Sequence, residues 1–176
     1  MSKVIVIGGG PAGMMAAYAA SCQGHQVTLL EQNEKLGKKL FITGKGRCNI
    51  TNASDMDHLF ANVMSNRKFL YSAFYTFDNE QVISFFEEQG LHTKVERGNR
   101  VFPVSDHSSD VIAALSRALR EKHVEIMLHT KVEKLLVQDA CVYGVMLSGG
   151  KRIEADAVIV ATGGISYPST GATGDG

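Results

Sequence analysis

The chain has no tryptophan, and aromatic residues make up only 7% of it, which argues against a surface that stacks nucleobases. It has no excess charge either. Eighteen basic and eighteen acidic side chains cancel, so no bulk electrostatic pull draws it to nucleic acid or anionic lipid. The three cysteines, Cys22, Cys48 and Cys141, are far apart and form no CxxC. That pattern suggests neither a disulfide framework nor a zinc site and fits a reducing cytoplasm. The six histidines show no HExxH or other ligand spacing, so no metal is expected. Asp106-His107-Ser108-Ser109 reads as the entrance to a helix, not as a catalytic triad. Long apolar runs are missing as well. The stretch VIVIGGGPAGMMAAYAASCQGHQVTLLE, residues 4–31, is broken by Gly8-Gly9-Gly10-Pro11 and again by Gly24-His25-Gln26. A signal peptide needs about 7–15 unbroken apolar residues and a membrane span about 20, so neither fits.

What the sequence has instead is glycine. Eighteen are present, and ten fall in three clusters: Gly8, Gly9, Gly10 and Gly13; Gly37, Gly44 and Gly46; Gly163, Gly164 and Gly171. Around the first cluster the chain reads as strand, turn, helix, strand. Val4-Ile5-Val6-Ile7 is a β-branched run suited to a strand buried on both faces. Ala12 to Cys22 is rich in the helix formers Ala and Met, and Gln26 to Leu30 is a second strand. Gly8-x-Gly10-x-x-Gly13 sits at the turn, the dinucleotide fingerprint. Gly8 permits the tight turn, Gly10 lets a pyrophosphate approach the backbone, and Gly13 allows the helix to pack on the strand. Free N–H groups at the helix start then face the phosphates with the positive end of the helix dipole. Glu31, at the end of the second strand, can accept hydrogen bonds from both ribose hydroxyls and would repel a 2′-phosphate, which disfavours NADP here. The fingerprint alone does not separate NAD from FAD.

The following residues 32–52 are too polar and glycine-rich for a simple crossover helix. They carry Lys35, Lys38, Lys39, Lys45 and Arg47 against the single acid Glu34. Gly46 stands where a Walker motif needs a hydroxyl. A basic loop of this kind is suited to lie along a pyrophosphate and beneath a flavin ring. Cys48, beside Arg47, reads as a small buried residue, with redox exchange through a thiolate as the alternative. Asn79 to Gln89 patterns as a helix capped by Asp78 or Asn79 and ended by Gly90. Residues 100–104 form a short extended segment. A second helix begins at Ser108 or Ser109 and runs to Glu121-Lys122, its apolar positions at helical spacing. Phe85, Phe86, Leu115 and Leu119 are expected in the core. Residues 124–130 read as a third buried strand, and 131–155 as three short antiparallel strands with turns at Gln138-Asp139 and Ser148-Gly149-Gly150. Val158-Ile159-Val160 is a fourth β-branched strand ending on Ala161-Thr162-Gly163-Gly164. Together these give an α/β, Rossmann-like FAD/NAD(P)-binding domain over 1–176, with a central parallel sheet and a small antiparallel β-meander.

The order of fingerprint, Glu31, meander and ATGG strand resembles the FAD domain of the glutathione-reductase-like flavoproteins. GKKLFITGKGRCNITN (37–52), NRVFPVS (99–105) and ATGGISYPSTGATGDG (161–176) resemble, more narrowly, the BaiN-like or aminoacetone-oxidase-family FAD-binding enzymes. The resemblance covers essentially the whole chain. It implies two-electron redox chemistry on FAD, with NAD(P)H as a plausible donor and a small organic substrate. It also implies pyrophosphate contacts from Gly8, Gly10, Ala12 and Gly13, with the ribose on Glu31. Val132 would present its backbone to the adenine, and Thr162, Gly163 and Gly164 would pass the flavin end. Lys38, Lys39, Gly44 and Arg47 map onto the loop beside phosphates and flavin, with Arg47 or Lys45 as the positive group near flavin N1 and O2. Proteins of that family are considerably longer and end on a further strand with a Gly-Asp pair. The chain therefore reads as an N-terminal portion, incomplete at the C-terminus, whose remaining partner is the rest of a longer chain, and Asp175 is not that Gly-Asp pair. The expected partners are FAD and a small molecule, not nucleic acid or membrane. No catalytic acid or base can be named. The competing readings are an NAD-binding dehydrogenase or regulatory domain, whose usual alternation does not explain the meander, and a non-catalytic FAD-binding module.

Overall fold

The computed structural model describes residues 1–171, 173 and 174; Asp175 lies outside the described residues. The chain opens with β1 (Lys3–Ile7), α1 (Pro11–Cys22) and β2 (Gln26–Leu30). It continues through α2 (Lys38–Ile42), a 3-10 turn at Thr43–Gly46, β3 (Thr51–Asn52), α3 (Met56–Ala61), α4 (Arg67–Thr76) and α5 (Asn79–Glu88). The hairpin of β4 (Thr93–Glu96) and β5 (Arg100–Pro103) leads to α6 (Ser108–Glu121) and β6 (Glu125–Met127). Then come β7 (Val132–Gln138), β8 (Cys141–Leu147), β9 (Arg152–Glu154) and β10 (Ala157–Val160).

Contacts divide the chain into two compact units, Met1–Leu40 with Leu115–Gly176, and Phe41–Ala114. The first is built on a parallel sheet of order β10-β1-β2-β6. Strand β1 lies between β10 and β2 in the sheet, with α1 on one face and the meander on the other, which is why it is an unbroken β-branched run with Val4, Ile5 and Val6 buried. Side chains alternate along a strand. Ile5 and Ile7 face the antiparallel meander β7-β8-β9, where they meet Val145, Leu147, Val132 and Ile153. Val4 and Val6 turn to the opposite face. Helix α1 packs on the sheet through Gly13, Met14 and Ala17, all buried.

The second unit has its own antiparallel sheet, β3-β5-β4. Its buried apolar residues include Phe60, Phe85, Phe86, Val101 and Phe102. Asp78 caps α5 in a full capping box with Gln81, and Gly90 follows with φ 73°. The Ser108 hydroxyl, expected to cap α6, donates to the Phe41 carbonyl at 2.7 Å.

Helices α3 and α4 fall in a stretch whose pattern announces no element. None of the residues of α4 is buried; its packed face sets Tyr71, Phe74 and Tyr75 against Phe60, with ring centres 4.4, 5.1 and 6.0 Å apart. The strand expected over 124–130 is ordered as a strand only at Glu125–Met127. Beyond it the backbone N–H groups of His129 and Thr130 donate to the carbonyls of Asn33 and Glu31, at 3.0 and 2.8 Å. That fixes the descending chain against the end of β2. No described helix is long and apolar enough to cross a membrane.

Candidate functional site: a nucleotide cleft at the first glycine turn

Three glycines shape the turn between β1 and α1, each in a different way. Gly8 has φ +108° and donates its N–H to the Leu30 carbonyl at 2.8 Å; a Cβ there would stand 2.5 Å from the Ala161 carbonyl oxygen. A Cβ on Gly13 would fall on the Gly8 carbonyl oxygen, so only glycine lets the helix sit this close to the strand. Gly10 is the opposite case, since a Cβ there would meet nothing within 4 Å. Its open side faces a cleft of about 570 Å³. Gly10 is also the N-cap of α1 and supplies no side chain, Pro11 occupies the first turn, and no acidic residue lies in that turn. The first backbone N–H groups of a helix have no partner within the helix. With no side-chain cap, this end is a ready receptor for an anion.

Glu31 stands on the same cleft, 7% exposed. Its Oε2 accepts the Gly9 N–H at 2.6 Å. Its Oε1 accepts from the Asn33 backbone N–H at 2.8 Å and from Asn33 Nδ2 at 2.6 Å. A carboxylate has about four acceptor positions, so about one remains for a ligand hydroxyl, where the sequence leads one to expect both ribose hydroxyls on this side chain. The other acceptor positions are used to hold the turn itself, because a buried carboxylate needs internal donors. Asn33 extends the network, since Lys38 Nζ lies 3.3 Å from its Oδ1.

Of the residues singled out from the sequence, Gly8, Gly10, Ala12 and Glu31 line the cleft, as do Lys38, Lys39, Val132, Thr162 and Gly163. Gly13 lies beneath the turn as a packing residue, and Gly164 follows the lining as an exposed residue. Gly44 and Arg47 belong to the second unit and are not among the lining residues. Arg47 is engaged there: Nε and Nη2 donate to Asp106 Oδ1 at 2.9 and 2.6 Å, and Nη1 and Nη2 to Glu96 at 3.3 and 2.5 Å. Its guanidinium also stacks 4.3 Å from the centre of the Phe102 ring. A guanidinium matched by two carboxylates is a structural tie within the second unit. The hydrogen bonds to Glu96 and Asp106 raise the Arg47 pKa further. Cys48 is 2% exposed, and burial pushes its thiol pKa up, against a thiolate role.

The cleft also takes in residues not singled out for the site: Gln32, Asn33, and Thr130, Lys131 and Glu133 to Leu135 along the start of the meander, with Thr170 and Gly171 at the far end. Only Gly171 carried a signal, as a member of the third glycine cluster. Among the described residues, no group of three or more His, Cys, Asp or Glu could hold a metal ion.

The HI0933-like protein Rossmann domain, as a family, matches residues 2–176. The chain belongs to this family. Its members are the BaiN-type FAD-binding flavoproteins, in keeping with the resemblance carried by 37–52 and 161–176. A 3-dehydro-bile acid delta(4,6)-reductase of Clostridium scindens is 36% identical over the full chain, which covers 42% of that protein. A ribosomal RNA dihydrouridine synthase of Haemophilus influenzae is 30% identical over 98% of the chain, which covers 43% of that protein. The chain thus spans somewhat over two fifths of the length of these relatives. A 3-ketosteroid-delta4-(5alpha)-dehydrogenase of Rhodococcus jostii RHA1 shares the fold, with a TM-score of 0.73 at 15% identity, over 94% of this chain and 46% of that one.

Proposed function

We propose that this chain is the FAD-binding part of a flavin-dependent oxidoreductase that takes electrons from a reduced nicotinamide and acts on a small organic substrate. The observation that carries this reading is the open side of Gly10 at an uncapped helix start, with Glu31 on the same cleft. A Cβ at Gly8 or Gly13 would strike backbone and one at Gly9 the side chains of Leu36 and Glu31, while the Gly10 side is left clear where a diphosphate would lie. The residues fit FAD. Gly8, Gly10 and Ala12 would offer backbone to the diphosphate, with Lys38 and Lys39 adding positive charge. The remaining acceptor position of Glu31 would take one ribose hydroxyl. Val132 would run along the adenine, and Thr162, Gly163 and Gly164 lead toward the flavin end. Bound flavin supplies the two-electron redox chemistry; the protein supplies position, charge and exclusion of water.

Titrating FAD into the purified chain, and following flavin absorbance and fluorescence, tests the reading. Saturable binding with a perturbed flavin spectrum is expected. Binding of NAD⁺ with no response to FAD would favour the NAD-domain reading and overturn this one. For the complete protein, bleaching of the flavin by NADH separates an enzyme from a mere binder. The substrate class is tested in the same assay, with small conjugated ketones in one arm and ribosomal RNA in another. The second arm is warranted by the 30% identical relative named for ribosomal RNA.

A further inference from the structure

The segment that follows β10 leaves the cleft wall and returns to it. Ala161, Thr162 and Gly163 line the cleft, the chain then runs exposed from Gly164 to Ser169, and Thr170 and Gly171 line the cleft again at the Gln32–Asn33 end. The excursion is exposed along its middle. Ile165 and Tyr167 are 80% and 64% exposed, and Lys39 Nζ lies 3.5 Å from Ser166 Oγ. Its far end is different. Thr170 is 9% exposed, and the turn is internally built: the Thr170 hydroxyl and N–H both bond the Tyr167 carbonyl, and the Gly171 N–H bonds the Pro168 carbonyl. Two amide side chains then hold that turn from across the cleft. Gln32 Nε2 donates to the Gly171 carbonyl at 2.9 Å, and Asn33 Nδ2 to the Thr170 carbonyl at 3.3 Å.

The backbone conformations match a pivot and a latch. Gly163 has φ 78°, a value glycine adopts freely. Tyr167 has φ 59°, costly for a bulky residue and therefore held by its surroundings. At Gly171, φ is 86°, and a Cβ would stand 2.7 Å from Asn33 Nδ2 and 3.0 Å from Gln32 Nε2, so the latch closes on a glycine for want of room. Asn33 carries the connection inward, because the same Nδ2 that reaches Thr170 also donates to Glu31 Oε1.

We propose that Gly163–Gly171 is a strap that pivots at Gly163 and latches onto the amides of Gln32 and Asn33, closing the ribose end of the cleft over a bound nucleotide. The latch consists of neutral hydrogen bonds at the cleft rim, so it can open without exposing the core. A nucleotide seated against Glu31 lies behind the closed turn and leaves only when the latch lets go. This rests on the cleft being the nucleotide site, and deepens that reading by naming what gates it.

The test uses FAD and the 176-residue chain, with Gln32→Ala and Gly171→Ala as two independent ways to undo the latch. Release of FAD is followed by stopped-flow fluorescence after dilution. Each variant is expected to release FAD about fivefold faster, the worth of one neutral hydrogen bond. In the unaltered chain, FAD is expected to slow amide hydrogen exchange at Thr170 and Gly171, a readout that needs no substitution. FAD bound and released at unchanged rates by both variants, or strap amides that exchange equally with and without FAD, would overturn the latch and leave the nucleotide site standing. No binding of FAD by the unaltered chain would overturn the nucleotide reading, and the latch with it.

Discussion

The Gly9 backbone N–H donates to Glu31 Oε2 at 2.6 Å, joining the glycine turn to the end of the second strand. This one contact gives Glu31 two tasks. The carboxylate that would hold a ribose also fixes the loop that would hold the diphosphate, so the two halves of the cleft are placed relative to each other before any ligand arrives. The Gly37 N–H, bonded to the Gly9 carbonyl at 2.8 Å, closes the same loop from its other side.

Glu31→Gln is therefore expected to cost stability as well as binding. The amide keeps one acceptor oxygen, but its NH₂ group must face either the Gly9 N–H or the two Asn33 donors. A buried donor left unpaired costs about 1–3 kcal/mol. Urea unfolding should show a lowered midpoint with an unchanged slope, and FAD affinity should fall in parallel. Unchanged stability would mean that the carboxylate does not organise the turn.

Gly10 and Gly13 should separate binding from folding. Gly10 has φ −76° and ψ 177°, ordinary for alanine, and a Cβ there meets nothing. Gly10→Ala should fold with full stability, and its methyl should obstruct the approach of the diphosphate. Gly13→Ala would drive a Cβ into the Gly8 carbonyl oxygen, and overpacking of this kind costs about 1–3 kcal/mol or more. Thermal unfolding and FAD titration of the two variants are expected to give opposite results: a stable protein that binds poorly, and a destabilised one.

The first unit was legible because its signals are local and periodic. β1 is β-branched since it is covered on both faces, the fingerprint places its glycines where backbone meets backbone, and the meander announces its turns at Asp139 and at Gly149-Gly150, all with positive φ. Arg47 shows where such reading stops. Its carboxylate partners Glu96 and Asp106 stand 49 and 59 positions away, and no spacing reveals them. Gln32 and Asn33 escaped notice for a related reason. Their hold on the 170–171 turn is made on main-chain carbonyls, which every residue possesses.

The cysteines should differ sharply in reactivity. Cys48 is buried and its thiol pKa raised by that burial, while Cys22 and Cys141 are exposed. Only the thiolate is the nucleophile. At neutral pH, a disulfide reagent such as DTNB should label two thiols rapidly and the third only on unfolding. Rapid labelling of Cys48 in the folded protein would show that the 43–48 loop opens readily.

The ties made by Arg47 should appear in the acid limb of stability. The hydrogen bond from Arg47 holds the Glu96 carboxyl below its ordinary value. Hydrogen bonds from Lys94 and then Arg47 do the same for Asp106. Folded values below the unfolded ones mean that this stabilisation is fully present above the unfolded carboxylate range of about 4 and is lost as the pH falls through the lowered folded values. Arg47→Met should therefore unfold at a lower temperature than the unaltered chain at pH 7, and the gap should narrow as the pH is taken below about 4. Lys94 still reaches Asp106 at 2.7 Å in such a variant, so some acid sensitivity should persist, and removing Lys94 as well should flatten it. A gap between the two proteins that stays constant from neutral to acid pH would assign the cost to lost packing over Phe102 instead of to charge.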